Sequence, residues 1–344
     1  MFSIHDAAKL IGTLVAASPA IPYSPLYIRQ MEYEKTLALN DNCNDFSKLM
    51  SFSHESLEDL KWWLDNLQIS GAPIRQDKFN LTITSNASMT GWGAHCNGKS
   101  TRGFWTLDQK KLNINNLELI AAFNGLKVFG RHSNQQILLR IDNKTAIAYI
   151  NKFGGCRSVG AHKIAKQIWG WCQDRNIWIF ASYISTKENY LADLESRSEI
   201  DSSDFSLNSS VYDSFCLEFG EPGIDLFATH ITAKCKRFLS WYPDPYSEGV
   251  DAFTIQWKEF FYCFPPFILI PRVLRKIKSD KAMGIVVVPN WPSQPWYPEY
   301  KNLVTSKILY FGPKNNLIVC PYSNRPHPLN KQLVLAVAIL SGRV

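Results

Sequence analysis

Several classes of protein are excluded by what this chain lacks. Its eight cysteines are scattered over 344 residues with no C-x-x-C pair and no short spacing to a histidine. That pattern argues against a disulfide scaffold and a zinc site, and fits reduced thiols. No apolar run approaches the roughly eighteen residues of a membrane span, since even Phe260 to Ile270 is broken by Pro265 and Pro266. Leu10 to Ala20 has the apolar character of a signal-peptide centre, but Asp6 precedes it and Lys9 is the only lysine before it. An amphipathic helix entering a core is expected there instead. An intracellular protein, cytoplasmic or nuclear, neither secreted nor membrane-bound, is therefore expected. There are no internal repeats. Charged residues make up only 19% of the chain against 46% hydrophobic, a balance that excludes a disordered or collagen-like chain and requires real cores.

The charge that is present is unevenly placed. Residues 1–77 carry 6 basic and 10 acidic side chains, 78–200 carry 16 and 8, and 201–344 carry 15 and 12. The middle segment alone is thus +8 where the whole chain is +7. Basic excess confined to one segment is the footprint of a polyanion-binding surface, although lysine-rich solvated faces produce the same count.

Hydrophobic periodicity divides the chain in three. Residues 1–77 read as helices over 7–17, 26–38 and 55–67, the last with Leu57, Leu60, Trp63, Leu64 and Leu67 at helical spacing, and with a polar loop over 38–51. A Gly71-Ala72-Pro73 break closes this piece. From Phe79 the pattern alternates. Strands are predicted near 79–85, 91–96 and 101–106, with an Asn97-Gly98 hairpin turn. A helix follows over 113–130, with Leu117, Ile120, Ala121, Leu126 and Phe129 on one side, then a strand over 136–141, helices over 144–151 and 161–175, a strand over 177–184 and a helix over 189–196. This order implies one mixed sheet flanked by helices in an α/β fold. A serine-rich stretch from Ser196 to Ser210, including Asp201, Ser202, Ser203 and Asp204, reads as a linker. Beyond it, strands are predicted over 223–228 and 283–289 with a helix over 267–278 between them, followed by a tail from Asn290 rich in proline and aromatics.

This topology places three carboxylates together. Asp142 ends the fourth strand, Glu118 lies on the first long helix and Asp193 on the last one. Each alone would pass as a surface acid. Three converging on one sheet end is what two-metal phosphodiester hydrolysis requires, because two Mg²⁺ ions roughly 4 Å apart need several carboxylates to offset their charge.

Residues 78–200 resemble the ribonuclease H domain of a reverse transcriptase. The resemblance is carried by Asn86-Ala87-Ser88-Met89-Thr90-Gly91-Trp92-Gly93-Ala94, where the family pattern begins with Asp, and by Asn113 to Leu119 around Glu118. It continues through Arg140-Ile141-Asp142-Asn143-Lys144-Thr145-Ala146, Tyr149 to Ser158, and Lys187 to Arg197 around Asp193. These motifs are most similar to those of DIRS-like, or tyrosine-recombinase, retrotransposons. Residues 16–32 are similar to the end of such a reverse transcriptase, so 1–77 is expected to be a thumb and connection remnant. Fingers, palm and polymerase carboxylates are missing, and polymerisation by this chain alone is excluded.

The resemblance implies a ribonuclease H-like endonuclease that binds RNA–DNA hybrid and hydrolyses the RNA strand, with Glu118, Asp142 and Asp193 as catalytic residues and ligands of Mg²⁺ or Mn²⁺. The departure is Asn86, in the place of an aspartate that bridges both metals. A neutral amide offers one oxygen instead of two and removes a negative charge from between two dications, so weak metal binding and strongly reduced cleavage are expected. Tyr183 stands where these elements usually carry histidine. The competing class is a non-catalytic nucleic-acid-binding or scaffold protein derived from the same element. Either way Lys144, Lys152, Arg157, Lys163 and Lys166, around the Gly154-Gly155 turn, are expected to contact phosphates without reading sequence.

Residues 201–344 bear a further resemblance. Gly223 to Thr229, Ser240 to Pro245, Asp251-Ala252-Phe253 and Cys263-Phe264-Pro265-Pro266-Phe267 are similar to the region after ribonuclease H in those elements, itself distantly similar to adenine-N6 DNA methyltransferases. A smaller methyltransferase-like α/β unit is implied. Phe264 replaces the polar residue that would hold the target amino group, which leaves Phe267 as a stacking platform, and there is no glycine-rich loop for S-adenosylmethionine. Neither that cofactor nor methyl transfer is expected, and the Pro265-Pro266 turn is assigned a packing role.

Overall fold

The structure, a computed structural model, describes residues 1–68, 71–72, 78–198, 205–321 and 327–343. The boundaries expected at 77 and 200, Pro73, and Asp201 to Asp204 of the linker lie outside them. The chain forms two compact units, one of Met1–Ser100 with Gln109–Arg197, the other of Thr101–Asp108 with Ser198–Val344.

In unit 1 three helices come first: α1 (Ile4–Ala17), α2 (Arg29–Asp41) and α3 (His54–Asn66). Ser3 and Ser53 cap α1 and α3, each accepting a backbone N–H of the first turn. The strands are β1 (Leu81–Ala87), β2 (Gly91–Cys96) and β3 (Lys99–Phe104), of which only Lys99 and Ser100 belong to unit 1. Next come α4 (Ile114–Phe129), β4 (Gln136–Ile141), α5 (Lys144–Asn151), α6 (Val159–Gln173), β5 (Trp178–Tyr183) and α7 (Tyr190–Ser196). Asn97 and Gly98 join β2 to β3 with φ of 48° and 76°, the doubly left-handed backbone of a type I′ hairpin.

The sheet order is β3-β2-β1-β4-β5. β1 runs antiparallel to β2, with Asn86 opposite Gly93, and parallel to β4, with Leu81 opposite Ile137. β4 and β5 are parallel from Gln136 opposite Trp178 to Ile141 opposite Tyr183. The two parallel crossovers require intervening helices, which α4 and the α5–α6 pair supply. A mixed sheet flanked by helices is therefore what forms. α4 packs on β1 and β2 and also on α5 and α6. It is accordingly buried at Asn116 to Leu119 and Ala121 to Leu126, not along the single side of Leu117, Ile120, Ala121, Leu126 and Phe129 that its sequence suggests.

The N-terminal helices belong to this same unit. Tyr23 Oη donates to Ile177 O, Tyr27 Oη to Gln173 Oε1 and Trp63 Nε1 to Tyr27 O. Of the predicted stripe on α3, Trp63 is buried and Leu60 packs against the same core, but Leu57, Leu64 and Leu67 are exposed, and Ser56 and Asp59 are buried in their place. The reason is ionic. Lys166 Nζ on α6 lies 2.7 Å from Asp59 Oδ1, so α3 turns its Ser56/Asp59/Trp63 side to the unit.

Unit 2 is built from α8 (Ser209–Phe219), β6 (Ile224–Asp225), β7 (Phe261–Cys263), α9 (Ile270–Asp280), β8 (Met283–Pro289), α10 (Tyr297–Leu303), β9 (Leu309–Phe311) and β10 (Leu335–Ser341). The order is β9-β10-β8-β7-β6. β6, β7 and β8 are parallel, and β10 runs antiparallel to both β8 and β9. The predicted strand over 223–228 is laddered only at Ile224–Asp225, and the helix predicted from 267 begins as a 3₁₀ turn before α9. The proline-rich tail contains the unforeseen β10, a buried strand inserted between β8 and β9 whose continuous apolar run, Leu333 to Leu340, is the pattern of a strand covered on both faces.

Candidate functional site: the carboxylate end of the unit 1 sheet

Four elements of unit 1 bring their polar side chains together. Asn86 sits near the end of β1, Glu118 on α4, Asp142 just past β4 and Asp193 on α7. α7 is held against β2 by an unusually close approach: a Cβ at Gly93 would lie 2.3 Å from Ala192 O. Ser88 Oγ donates to Ser196 O, and Asn189 Nδ2 to Ser85 O. These bonds set Asp193 beside Asn86. At the end of β4, Asn143 caps α5 and also donates to Asn115 Oδ1 on α4, which ties the Asp142 turn to the helix carrying Glu118.

The Asn86 side chain is 3% exposed. Its Nδ2 donates to Asp193 Oδ1 at 2.8 Å and to Ser196 Oγ at 3.1 Å. The same Asp193 oxygen accepts from Arg197 Nε at 2.9 Å. Asp142 Oδ2 accepts from Thr186 Oγ1 at 3.1 Å. Glu118 is buried, its Oε2 has no hydrogen-bond partner, and its pKa is pushed up to about 8, by burial first and then by the charges of Asp142 and Asp193. Tyr183, at the end of β5, is exposed.

This donor set does not fit a bridged pair of divalent cations. Where β1 would have to present a second anionic oxygen, it presents an amide N–H committed to Asp193, and that carboxylate already has a guanidinium as its counter-charge. Among the described residues no group of three or more His, Cys, Asp or Glu side chains is disposed to hold a metal ion. Glu118, Asp142 and Asp193 do share one locality, since both aspartates act on the Glu118 carboxyl.

Of the expected phosphate-binding residues, Lys144, Lys152, Arg157 and Lys163 are exposed. Lys166 is only partly exposed: its ammonium is bound to Asp59, which is 2% exposed, and lies 3.7 Å from Glu55 Oε1, within the α3–α6 contact. Sequence reasoning also overlooked His162 on α6. It is buried, neither ring nitrogen has a partner, and burial together with Lys166 lowers its pKa to about 4. Its i+4 spacing to Lys166 was the available signal.

In unit 2, Phe267 is partly buried, with ring centroids 5.3 Å from Trp291 and 6.3 Å from Phe264. It is packed against both hydrophobic clusters of the unit.

No family model matches the sequence, and no curated protein does. Among solved structures the chain is similar to ribonuclease H1 from the halophilic archaeon Halobacterium salinarum, with 10% identity over 33% of this chain and 92% of that one, at a TM-score of 0.29. The ribonuclease H1 called LC11, solved with an RNA/DNA hybrid, gives 9% identity over 34% and 93% at a TM-score of 0.28. The prototype foamy virus protease-reverse transcriptase gives 16% over 57% of this chain and 26% of that one, at 0.25. All three are loose likenesses. No helix among the described residues is long and apolar enough to cross a membrane.

Proposed function

We propose that unit 1 is a ribonuclease H-type domain from the reverse-transcriptase region of a DIRS-like retrotransposon, that it binds RNA–DNA hybrid, and that its cleavage of the RNA strand is impaired at Asn86. The hydrogen bond from Asn86 Nδ2 to Asp193 Oδ1 carries this reading. In place of a carboxylate that would attract Mg²⁺, the sheet contributes a donor that consumes one of the remaining carboxylates. Loss of even a supporting partner of a metal ligand costs roughly 10–100-fold in affinity or activity, and a bridging position costs at least as much. Binding rests on the exposed cations Lys144, Lys152, Arg157 and Lys163, on α5, α6 and the turn between them. A hybrid duplex is recognised by groove shape, 2′-hydroxyls and phosphates, so affinity is expected to be salt-sensitive and sequence-tolerant.

The test uses purified protein with Mg²⁺ or Mn²⁺ on a labelled RNA–DNA hybrid, alongside Asn86→Asp. Cleavage should be at least ten-fold slower in the parent than in the variant. Equal and efficient cleavage by both would overturn the impairment, and absence of salt-dependent hybrid binding by anisotropy would overturn the nucleic-acid reading itself.

A further inference from the structure

The turn that joins α5 to α6, Lys152 to Ser158, carries two of the exposed cations assigned to hybrid binding, Lys152 and Arg157. Its backbone needs support. Phe153 and Gly154 are left-handed in succession, with φ of 57° and 95°, and a bulky residue keeps that conformation only where its surroundings hold it. Part of the hold is local. The Phe153 ring stacks on Trp169 of α6 with centroids 4.2 Å apart, Gly154 N–H donates to Tyr149 O at 2.7 Å, and Ser158 N–H donates to Tyr149 Oη at 2.9 Å. Gly154 also lies so close to the buried His162 that a Cβ there would collide with the imidazole.

A further hold comes from α2, 123 residues earlier in the chain. Lys152 caps the C-terminus of α5, so its carbonyl has no partner within the helix. Arg29 supplies one: its Nε and Nη2 both donate to Lys152 O, at 3.1 and 2.9 Å. The third guanidinium nitrogen, Nη1, lies 2.7 Å from Glu32 Oε2. That same Glu32 oxygen is 3.6 Å from Cys156 Sγ, which is also 3.7 Å from Arg29 O. α2 therefore meets the turn on both sides of the left-handed pair, at Lys152 and at Cys156. Arg29 is placed to shape the turn and not to bind a phosphate, since all three of its nitrogens are engaged, Glu32 matches its charge, and its side chain is only 25% exposed.

We infer that Arg29 is a positioning residue for hybrid binding: with Glu32 it holds the Lys152–Ser158 turn in the conformation that presents Lys152 and Arg157 to the duplex. Ordering of the turn is then complete before the duplex arrives, which removes that cost from the binding step. Lysine cannot take this place, because a single ammonium does not reproduce the planar fork that spans the Lys152 carbonyl and the Glu32 carboxylate. This role rests on the hybrid-binding reading of unit 1, which it extends to α2.

The test is fluorescence anisotropy of the full chain with a labelled RNA–DNA hybrid at several salt concentrations, together with amide hydrogen exchange of the free protein. Arg29→Ala and Arg29→Lys should each weaken hybrid binding about five-fold, flatten the salt slope by about one, and speed exchange at Phe153 and Gly154. In a chain already carrying Lys152→Ala and Arg157→Ala, Arg29→Ala should change affinity by less than about two-fold, because the cations it positions are gone. If Arg29→Lys keeps the parent's affinity while Arg29→Ala loses it, or if the Arg29→Ala loss persists in full in the doubly substituted chain, Arg29 acts directly as a charge on the duplex and the positioning role is overturned. Faster exchange throughout unit 1, in place of a change confined to the turn, overturns it as well by making Arg29 a general structural tie. Parental affinity in both Arg29 variants, with binding still weakened by Arg157→Ala and Lys163→Ala, overturns the positioning role alone. Hybrid binding that is absent, or indifferent to Arg157→Ala with Lys163→Ala, overturns the reading of unit 1 and this role with it.

Discussion

Asn86 and Asp193 show how one side chain redirects a site. An aspartate and an asparagine occupy nearly the same volume, yet they differ in the sign of what they offer a neighbouring carboxylate. Two aspartates 2.8 Å apart would repel and demand a cation between them. Asparagine instead donates a hydrogen bond, and the pair is satisfied without one. His162 presents a second residue-scale case. Buried and neutral, with Lys166, Arg29 and Lys163 opposing its protonation and Glu55 favouring it, it titrates at about 4 in the folded chain against about 6.5 when unfolded. Between those values the unfolded state binds the extra proton, so stability is fully present above pH 6.5 and is lost as pH falls toward 4. Replacing His162 with Leu should flatten this acid limb. Urea midpoints of parent and variant at pH 5 and pH 7 check it, and an equal drop in both proteins would assign the limb to other groups.

At the scale of elements, the α3–α6 and β2–α7 contacts each rest on one position. Asp59 is buried deeply enough that its pKa is raised by desolvation even though Lys166 sits beside it, which marks the pair as a structural tie whose breakage leaves an uncompensated charge. Lys166→Ala should therefore destabilise unit 1 by about 3 kcal/mol, read as a shift in denaturant midpoint, while hybrid affinity stays within two-fold of the parent. A phosphate-binding lysine would give the opposite pair of results. Gly93 allows α7 to lie on β2 with no room for a methyl group. Gly93→Ala should cost about 1–3 kcal/mol and move Asp193 away from Asn86. Thermal denaturation reports the first effect, and the amide chemical shift of Asn86 reports the second. The exposed leucines of α3 belong to this scale too. Periodicity set Leu60 and Trp63 inward but could not tell that Ser56 and Asp59, not Leu57 and Leu64, flank them, because the ion that holds Asp59 lies on another element, 107 residues away.

Across the whole molecule the positive charge of 78–200 is concentrated at α5, α6 and the turn joining them. With Lys144, Lys152, Arg157 and Lys163 exposed and Lys166 internally paired, four phosphate contacts is the natural count. The logarithm of hybrid affinity should then fall against the logarithm of salt with a slope of about −3 to −4, and removing Arg157 and Lys163 together should reduce the slope by about two. A slope near zero would mean that these cations are merely solvated. Most of the architecture was legible beforehand. Strands 91–96, 136–141 and 283–289 and helix 144–151 form at their predicted limits, because alternation and helical spacing are local properties of a few neighbouring residues. β10 was missed because its sequence offers a plain apolar run inside a proline-rich tail, and a run without alternation becomes a strand only when both of its faces find cover. The sequence by itself determined which residue types reach the sheet end, and that one expected acid is an amide. Only the tertiary structure decided that this amide binds Asp193, that Lys166 belongs to Asp59, and that Arg29 holds the turn after α5. Each of those outcomes joins groups far apart along the chain, and the burial and desolvation that govern them do not exist until the units have packed.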